Sequence, residues 1–381
     1  MVRTILHDSV TRHNRILHRH STGTYLNAPS DRSAAAYSMP CKAGSRKVSG
    51  TTVLPNSAPH SPCVAYAFNE GYPVTGAPFF RIICSVATVP IRNAPMSFLR
   101  PLVAGLYYHA SRPVRWWQFR SDARQGRVPI AVLVYHRIAD DRATPWTAGN
   151  RTFRRQIDWL ARHMELISMA ELQRRLREGN DRPAVHVTFD DGYAENCQEA
   201  IPLLVKRQIP CTYFVTLRQV VSGDPFAHDA ALGCRLPPNS VEQLRAMAAA
   251  GVEIGSHCEE HLDLAKIDDP QVLRRQVAGS REALARRIGR AVRYFAFPFG
   301  LYANLRPLAF ALARECGYEA VCSAYGGYNT PGEEPFHVQR IVIDDDLPRL
   351  MNRATIDPRK RATPRYCYHE SCSPCSLPAG A

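Results

Sequence analysis

The stretch Val185-His186-Val187-Thr188-Phe189-Asp190-Asp191-Gly192 is a short apolar, β-branched run that ends abruptly in two adjacent carboxylates and a glycine. It reads as a fully buried strand, with Gly192 supplying the sharp turn out of it. Two acids at the carboxyl end of a core strand are badly placed for stability. Like charges repel, and desolvation adds to the cost unless a cation or a proton separates their roles. One carboxylate on a metal, with its neighbour left free as a base, resolves the conflict. By itself Asp-Asp-Gly is an ordinary acidic turn, so the surrounding chain has to decide.

Upstream, Ile130 to Tyr135 is an unbroken apolar strand ending at His136. Phe153, Ile157, Leu160 and Met164 then recur at helical spacing, as do Met169, Leu172 and Leu176. Downstream comes a helix carrying Ile201, Leu204 and Val205, then a strand from Cys211 to Thr216. Ser240 with Gln243 forms a capping box opening a helix through Leu244 and Met247. Further strands fall at Val252–Gly255, Tyr294–Phe297, Glu319–Cys322 and Arg340–Ile343, separated by helices at Leu273–Ile288 and Leu305–Cys316. Strand and helix alternate throughout, which predicts an α/β fold with a parallel sheet, open or closed into a barrel. His136, Asp190-Asp191, Ser256-His257 and Pro298-Phe299-Gly300 all sit where a predicted strand ends. In α/β barrels that rim is where active sites are built.

The chain of 381 residues, 45% hydrophobic, is long enough for a sizeable core, and its formal charge is +14. Residues 1–95 hold ten Lys/Arg against three Asp/Glu, so half of the excess lies in a Ser/Pro/Thr-rich segment without periodicity. That segment reads as a disordered extension, or as an over-long reading frame whose true start is Met96. No basic stripe interleaved with aromatics appears elsewhere, which argues against a nucleic-acid partner. Residues 96–127 form an aromatic and basic lead-in, with Leu106-Tyr107-Tyr108 and Arg115-Trp116-Trp117. Its stretch 96–120 fits a peripheral membrane contact or a helix packed on the outside of the domain. The ordered domain is expected over 128–350, followed by a flexible tail, 351–381. Cys367, His369, Cys372 and Cys375 in that tail are a zinc-type set in disorder-prone surroundings. The twelve cysteines show no disulfide spacing, no secretory signal opens the chain, and no run of 18 apolar residues exists. A reducing, cytoplasmic setting, at most peripheral to a membrane, is the expectation.

His257-Cys258-Glu259-Glu260-His261 places two histidines at i and i+4, which on a helix share one face and one cation. With Asp191 they make two histidines and one carboxylate, a set that leaves open positions and suits Zn²⁺, with Co²⁺, Fe²⁺ or Ni²⁺ as alternatives. The same five residues also read H-x-x-E-H, an inverted zinc-protease signature with Glu260 as base. That reading is the weaker one. These histidines follow a short strand and leave Asp-Asp-Gly and Pro-Phe-Gly without work.

Thr188-Phe189-Asp190-Asp191-Gly192, His257-x-x-x-His261 and Phe297-Pro298-Phe299-Gly300 together resemble the ordered motifs of polysaccharide deacetylases, the NodB-homology enzymes of carbohydrate esterase family 4. The resemblance runs from about Val128 to Ile343. It implies a distorted (β/α) barrel of about seven parallel strands. It also implies metal-dependent removal of an acetyl group, N-linked and sometimes O-linked, from a sugar. Under it Asp190 is the general base, Asp191, His257 and His261 hold the metal, and Pro298-Phe299-Gly300 lines the substrate, with the Phe299 N–H on the oxyanion.

Two departures stand out. The arginine that orients the catalytic aspartate in the family falls at Ala296, leaving Arg293 and Arg340 as candidates to replace it. The family's late acid histidine has no match after residue 340. Leu133-Val134-Tyr135-His136-Arg137-Ile138 resembles instead the opening strand of the permuted subgroup that includes poly-N-acetylglucosamine deacetylases. There the histidine comes first, so the acid is His136, with His337 in reserve or simply structural. Cys258 stands where the family has Ser or Thr. The missing arginine also leaves room for an inactive sugar-binding relative. Free sugar, lipid-linked precursor, polymer and peptidoglycan all remain as substrates.

Overall fold

In the computed structural model, which describes residues 99–369, the apolar runs line up as strands of one parallel sheet. These are β1 (Ala131–Tyr135), β4 (Glu165–Leu166), β5 (Ala184–Phe189), β6 (Cys211–Val215), β7 (Glu253–Ser256), β8 (Tyr294–Ala296), β9 (Ala320–Cys322), β10 (His337–Val338) and β11 (Ile341–Val342). Two further short strands, β2 (Arg137–Ile138) and β3 (Thr147–Ala148), pair only with each other. The order across the sheet is β10-β9-β8-β7-β6-β5-β1-β11, with β4 added alongside β5. The seven expected strands are all present, and β4 and β10 are short additions.

The sheet's two edges, β10 and β11, are separated in sequence only by Gln339 and Arg340. Two residues span so little that the edges lie within roughly 10 Å of each other. The sheet is therefore curled into a distorted barrel with one seam. Asn329 bridges it. Its backbone pairs with Ile130, and its side chain exchanges hydrogen bonds of 2.8 Å with the main chain of Gln339.

Side-chain alternation then decides what faces where. Leu133, Tyr135, Val187, Phe189, Tyr213 and Phe295 turn outward against helices, whereas Val132, Phe214, Ala296, Cys322 and Val338 form a second, inner cluster. His136, Asp190 and His257 are the next inward positions on their strands. Parity and strand direction together deliver them to the carboxyl mouth of the barrel.

The helical layer includes α1 (Leu99–Arg124), α2 (Asn150–His163), α3 (Met169–Glu178), α4 (Ala200–Lys206), α5 (Ala227–Ala231), α6 (Val241–Ala249), α7 (Pro270–Arg274), α8 (Ser280–Ile288), α9 (Pro307–Glu315) and α10 (Leu347–Ala354), with a further short helix at Leu217–Ser222. Phe153, Ile157 and Leu160 of α2 are buried, as their spacing predicts, and α6 opens with the Ser240–Gln243 capping box. A π-helical segment, Arg275–Gly279, joins α7 to α8. The lead-in at 96–127 contains α1, packed on the domain by one face. The tail expected to be flexible from residue 351 is instead seated as far as His369. α10 crosses that boundary, and Tyr366 and Tyr368 stack on Phe310 at 5.7 and 4.2 Å. The tail's Ser, Pro and Gly lie mostly beyond these two aromatic anchors. The expected disorder of residues 1–95, and Cys372 and Cys375 of the tail set, lie outside the described residues.

Candidate active site

Asp190 is buried at the end of β5 and gripped from the seam. Arg340 Nη1 donates to Oδ1 at 2.6 Å and Nη2 to Oδ2 at 2.7 Å. The guanidinium is itself fixed: Nε donates to the Ser323 carbonyl at 2.9 Å, and the group lies 5.1 Å over the Phe214 ring. Gly255 makes room for that ring, since a Cβ there would come within 2.4 Å of Phe214 Cδ1. Burial, the largest single influence, raises the Asp190 carboxyl, but Arg340, His257 and His136 together outweigh it, and the pKa ends below the usual range. Arg293, the other candidate arginine, pairs with Glu253 and Glu319 at the opposite, amino end of the barrel strands.

Asp191 turns the other way. Its Oδ1 lies 3.2 Å from His261 Nε2 and 3.6 Å from His257 Nε2, and the three residues could jointly hold one ion, their ligand atoms lying within 4.8 Å of one another. Oδ1 is buried without a hydrogen-bond partner. His257 donates from Nδ1 to the Ala296 carbonyl at 2.9 Å, which leaves the Nε2 lone pair facing Asp191. Burial pushes the His257 imidazole down to about 4, so it is neutral at pH 7. A buried carboxylate oxygen without a donor, beside a neutral imidazole presenting its lone pair, fits a divalent cation on Asp191, His257 and His261.

The backbone is strained at these positions. Asp191, Cys258, His261 and Phe299 all have positive φ, four of the seven non-glycine residues that do among the described residues. Gly192 N donates to Asp190 O at 2.9 Å across Asp191, and Gly300 N to Pro298 O at 2.7 Å across Phe299. Each is a γ-turn of the rare positive-φ kind. At their i, i+4 spacing His257 and His261 would share one face on a helix, but no helix forms here. The segment is a loop, and left-handed turns at Cys258 and His261, not helical periodicity, bring the two rings to 5.1 Å. Glu260, the base of the protease reading, pairs instead with Arg218 and Gln276.

Among the other expected residues, His136 follows β1 at the same mouth, near enough to lower both Asp190 and Asp191. Its carbonyl accepts from Asn196 Nδ2 at 2.7 Å. Phe299 is 52% exposed with its ring 4.9 Å from His261, and Gly300 packs so that a Cβ would meet Ala324 N at 2.7 Å. His337 is away from this group, buried in the sheet with Nε2 on Ser323 Oγ at 2.9 Å and its pKa pushed far down by burial.

A second cluster was missed in the sequence. Tyr193 OH lies 2.9 Å from both Asp229 Oδ2 and His228 Nε2, Trp146 Nε1 donates to Asp229 Oδ1 at 3.1 Å, and the His228 ring is 5.5 Å from that of His261. Burial raises the Asp229 carboxyl to about 6 and lowers His228 to about 4. These four residues are scattered over 146–229 with no shared spacing. Only Tyr193, directly after Asp-Asp-Gly, offered a signal.

A parallel barrel that gathers an arginine-bound carboxylate and an Asp/His/His group at its carboxyl mouth is an α/β-barrel hydrolase. Comparison with known proteins narrows the class. The polysaccharide deacetylase family model matches residues 177–321. YxkH of Bacillus subtilis, named for the polysaccharide deacetylases, is 26% identical over 221 residues, 57% of this chain and 72% of that protein. A poly-beta-1,6-N-acetyl-D-glucosamine N-deacetylase of Staphylococcus aureus is 23% identical over 211 residues, covering 53% and 69%. The solved structure of IcaB from Ammonifex degensii superposes with a TM-score of 0.50 at 26% identity, covering 60% of this chain and 97% of that one. The Streptococcus pyogenes deacetylase PplD has the same fold, with a TM-score of 0.51 at 20% identity over 60% and 99%. Over its barrel the chain is similar to polysaccharide deacetylases, and that similarity supports a hydrolase of this kind.

Proposed function

We propose that this domain hydrolyses the acetamide of an N-acetylated hexosamine within an oligosaccharide or polysaccharide, releasing acetate and a free amine, with Asp190 as general base. The observation that carries the reading is the opposite setting of two adjacent carboxylates. Asp190 is held ionised by Arg340, and Asp191 faces His257 and His261 with an unpartnered oxygen.

Asp191, His257 and His261 would hold one divalent cation, most simply Zn²⁺. Such an ion supplies Lewis-acid polarisation of the acetyl carbonyl and lowers the pKa of a water toward about 7. Asp190 accepts the proton of the attacking water while Arg340 keeps both of its oxygens in place. The Phe299 N–H, turned to the mouth by its γ-turn, donates to the oxyanion, a contribution of about 3–4 kcal/mol. His136, which follows β1 at the same mouth, gives the departing amine its proton. The likeness to poly-N-acetylglucosamine deacetylases favours a β-linked N-acetylglucosamine polymer over a free sugar. The sugar-binding reading turns on the missing arginine, and the two-point contact of Arg340 with Asp190 supports Arg340 as its replacement.

The test is acetate release from N-acetylglucosamine oligomers and N-acetylated lipid-linked sugars, with chelator and with Zn²⁺ or Co²⁺ restored. Asp190→Asn is expected to lower kcat by about 10²–10⁴-fold while metal content stays that of the parent. Metal-loaded protein with no release from any member of the panel would return the chain to the sugar-binding reading.

A further inference from the structure

The helix α1 is fastened to the domain by one face and leaves the other uncovered by the described residues. Arg115 is buried and donates to the Asn352 carbonyl at 2.9 Å and to its Oδ1 at 2.8 Å. Tyr107 OH donates to Asp357 at 2.9 Å, Asn352 returns a bond to the Ala104 carbonyl at 2.8 Å, and Arg361 grips Asp122 twice at 2.7 Å. A helix held at four points along its length is fixed in rotation.

The face opposite Arg115 is apolar. Leu99, Leu102, Val103 and Leu106 follow i, i+3, i+4, i+7 spacing, and Trp117 lies about three turns beyond Leu106 on the same side. Leu102 is 67%, Leu106 71% and Trp117 67% exposed. Arg115 is nine positions from Leu106, about two and a half turns, and so points the other way. Exposed Arg100, Arg112, Arg120 and Arg124 accompany the stripe, with Arg120 stacked on Trp116 at 5.0 Å. The helix's one acid, Asp122, is already taken by Arg361.

We propose that this face of α1 docks on the interface of an anionic lipid bilayer, with the helix axis in the membrane plane. Charge and shape choose that occupant. Arginines around leucine and tryptophan match headgroup phosphates around acyl chains. A polyanion such as nucleic acid would leave the aliphatic stripe without work. A single convex helix also offers no concave pocket in which a protein partner could seat an anchoring side chain. No helix among the described residues is long and apolar enough to cross a membrane, so the contact is peripheral. It would hold the barrel at a surface where acetylated glycans are built or anchored.

The experiment is co-sedimentation of the full chain with vesicles of phosphatidylcholine, alone or mixed with phosphatidylglycerol, together with tryptophan emission. Binding is expected to the mixed vesicles, roughly tenfold or more above the neutral ones, with a blue shift and a loss at high salt. The variant Leu102→Ser/Leu106→Ser/Trp117→Ser is expected to lose that binding at unchanged Tm, because all three side chains are exposed. Arg112→Glu/Arg120→Glu, which removes no apolar surface, is expected to weaken it on anionic vesicles alone. The proposal is overturned if the full chain ignores anionic vesicles, or if the triple variant binds as the parent does. It is also overturned if the triple substitution abolishes a dimer in place of a lipid contact. None of these readouts uses substrate, so they stand apart from the deacetylase assay.

Discussion

Asp190 and Asp191 are chemically identical neighbours that the fold sets to different tasks. Strand alternation alone would point them to opposite faces of the sheet. The γ-turn across Asp191 instead brings its carboxylate back to the mouth, beside the histidines. Arg340 separates their charge states. In Arg340→Met the Asp190 carboxyl stays buried but loses its counter-ion, so its pKa rises. A base works only when deprotonated, so the acid limb of kcat/KM should move to higher pH by a unit or more, while Zn²⁺ content is unchanged. An acid limb that stays where it was would remove Asp190 as the titrating base. The motif residues were legible because chemistry concentrates them. The arginine was legible only as a pair of candidates, because Arg293 and Arg340 both flank strands. The amino end of β8 and the seam before β11 lie at opposite rims, and spacing does not reveal which rim a flanking residue serves. The Trp146–Tyr193–His228–Asp229 cluster was not legible because its members, on α5 and on loops far from it in sequence, meet only in the folded chain.

At the scale of elements, the loop His257–His261 depends on a helix that is itself irregular. Within the π-helical segment Arg275–Gly279, Gln276 accepts from the Glu260 N–H and donates to the Glu260 carboxylate, both at 3.0 Å. Nearby, the Ser280 hydroxyl donates to the Gln276 and Val277 carbonyls left loose by the irregular turn and lies 2.9 Å from Ser256 Oγ. The widened turn thus buttresses the loop from behind. Gln276→Ala should lower Zn²⁺ affinity by about 10–100-fold, read by titration calorimetry, with little change in Tm. Unchanged affinity would mean that the loop's own turns suffice. Helices and strands were readable here from periodicity, since β1, β5 and β6 are buried runs of β-branched and aromatic residues. The π turn and the left-handed loop were not. Both are set by tertiary hydrogen bonds, and the i, i+4 histidines imitated a helix that the backbone does not form.

Across the whole molecule, buried imidazoles set the acid limit of stability. His186, inside the barrel on Thr212 and the Ile167 carbonyl, is pushed down to about 4 by burial, and His337 falls well below its ordinary value for the same reason. The unfolded chain protonates these rings near pH 6.5 and the folded one does not. Their contribution is therefore complete above about pH 6.5 and is lost as pH falls toward 4, at up to about 1.4 kcal/mol per pH unit for each group. Denaturant midpoints should drop between pH 7 and pH 5, and His186→Gln should flatten that slope; a slope left unaltered would exclude His186 as its source. The seam carries a different consequence, one of timing. On the ribosome the acid pair emerges 150 residues ahead of the arginine that Asp190 requires. Until Gln339 and Arg340 are laid in, the nascent domain has an open sheet edge and an uncompensated carboxylate that favours solvent over burial. The residues that shut the barrel also supply the counter-ion of the proposed base, so an incompletely synthesised chain has neither the finished wall nor the Arg340–Asp190 pair.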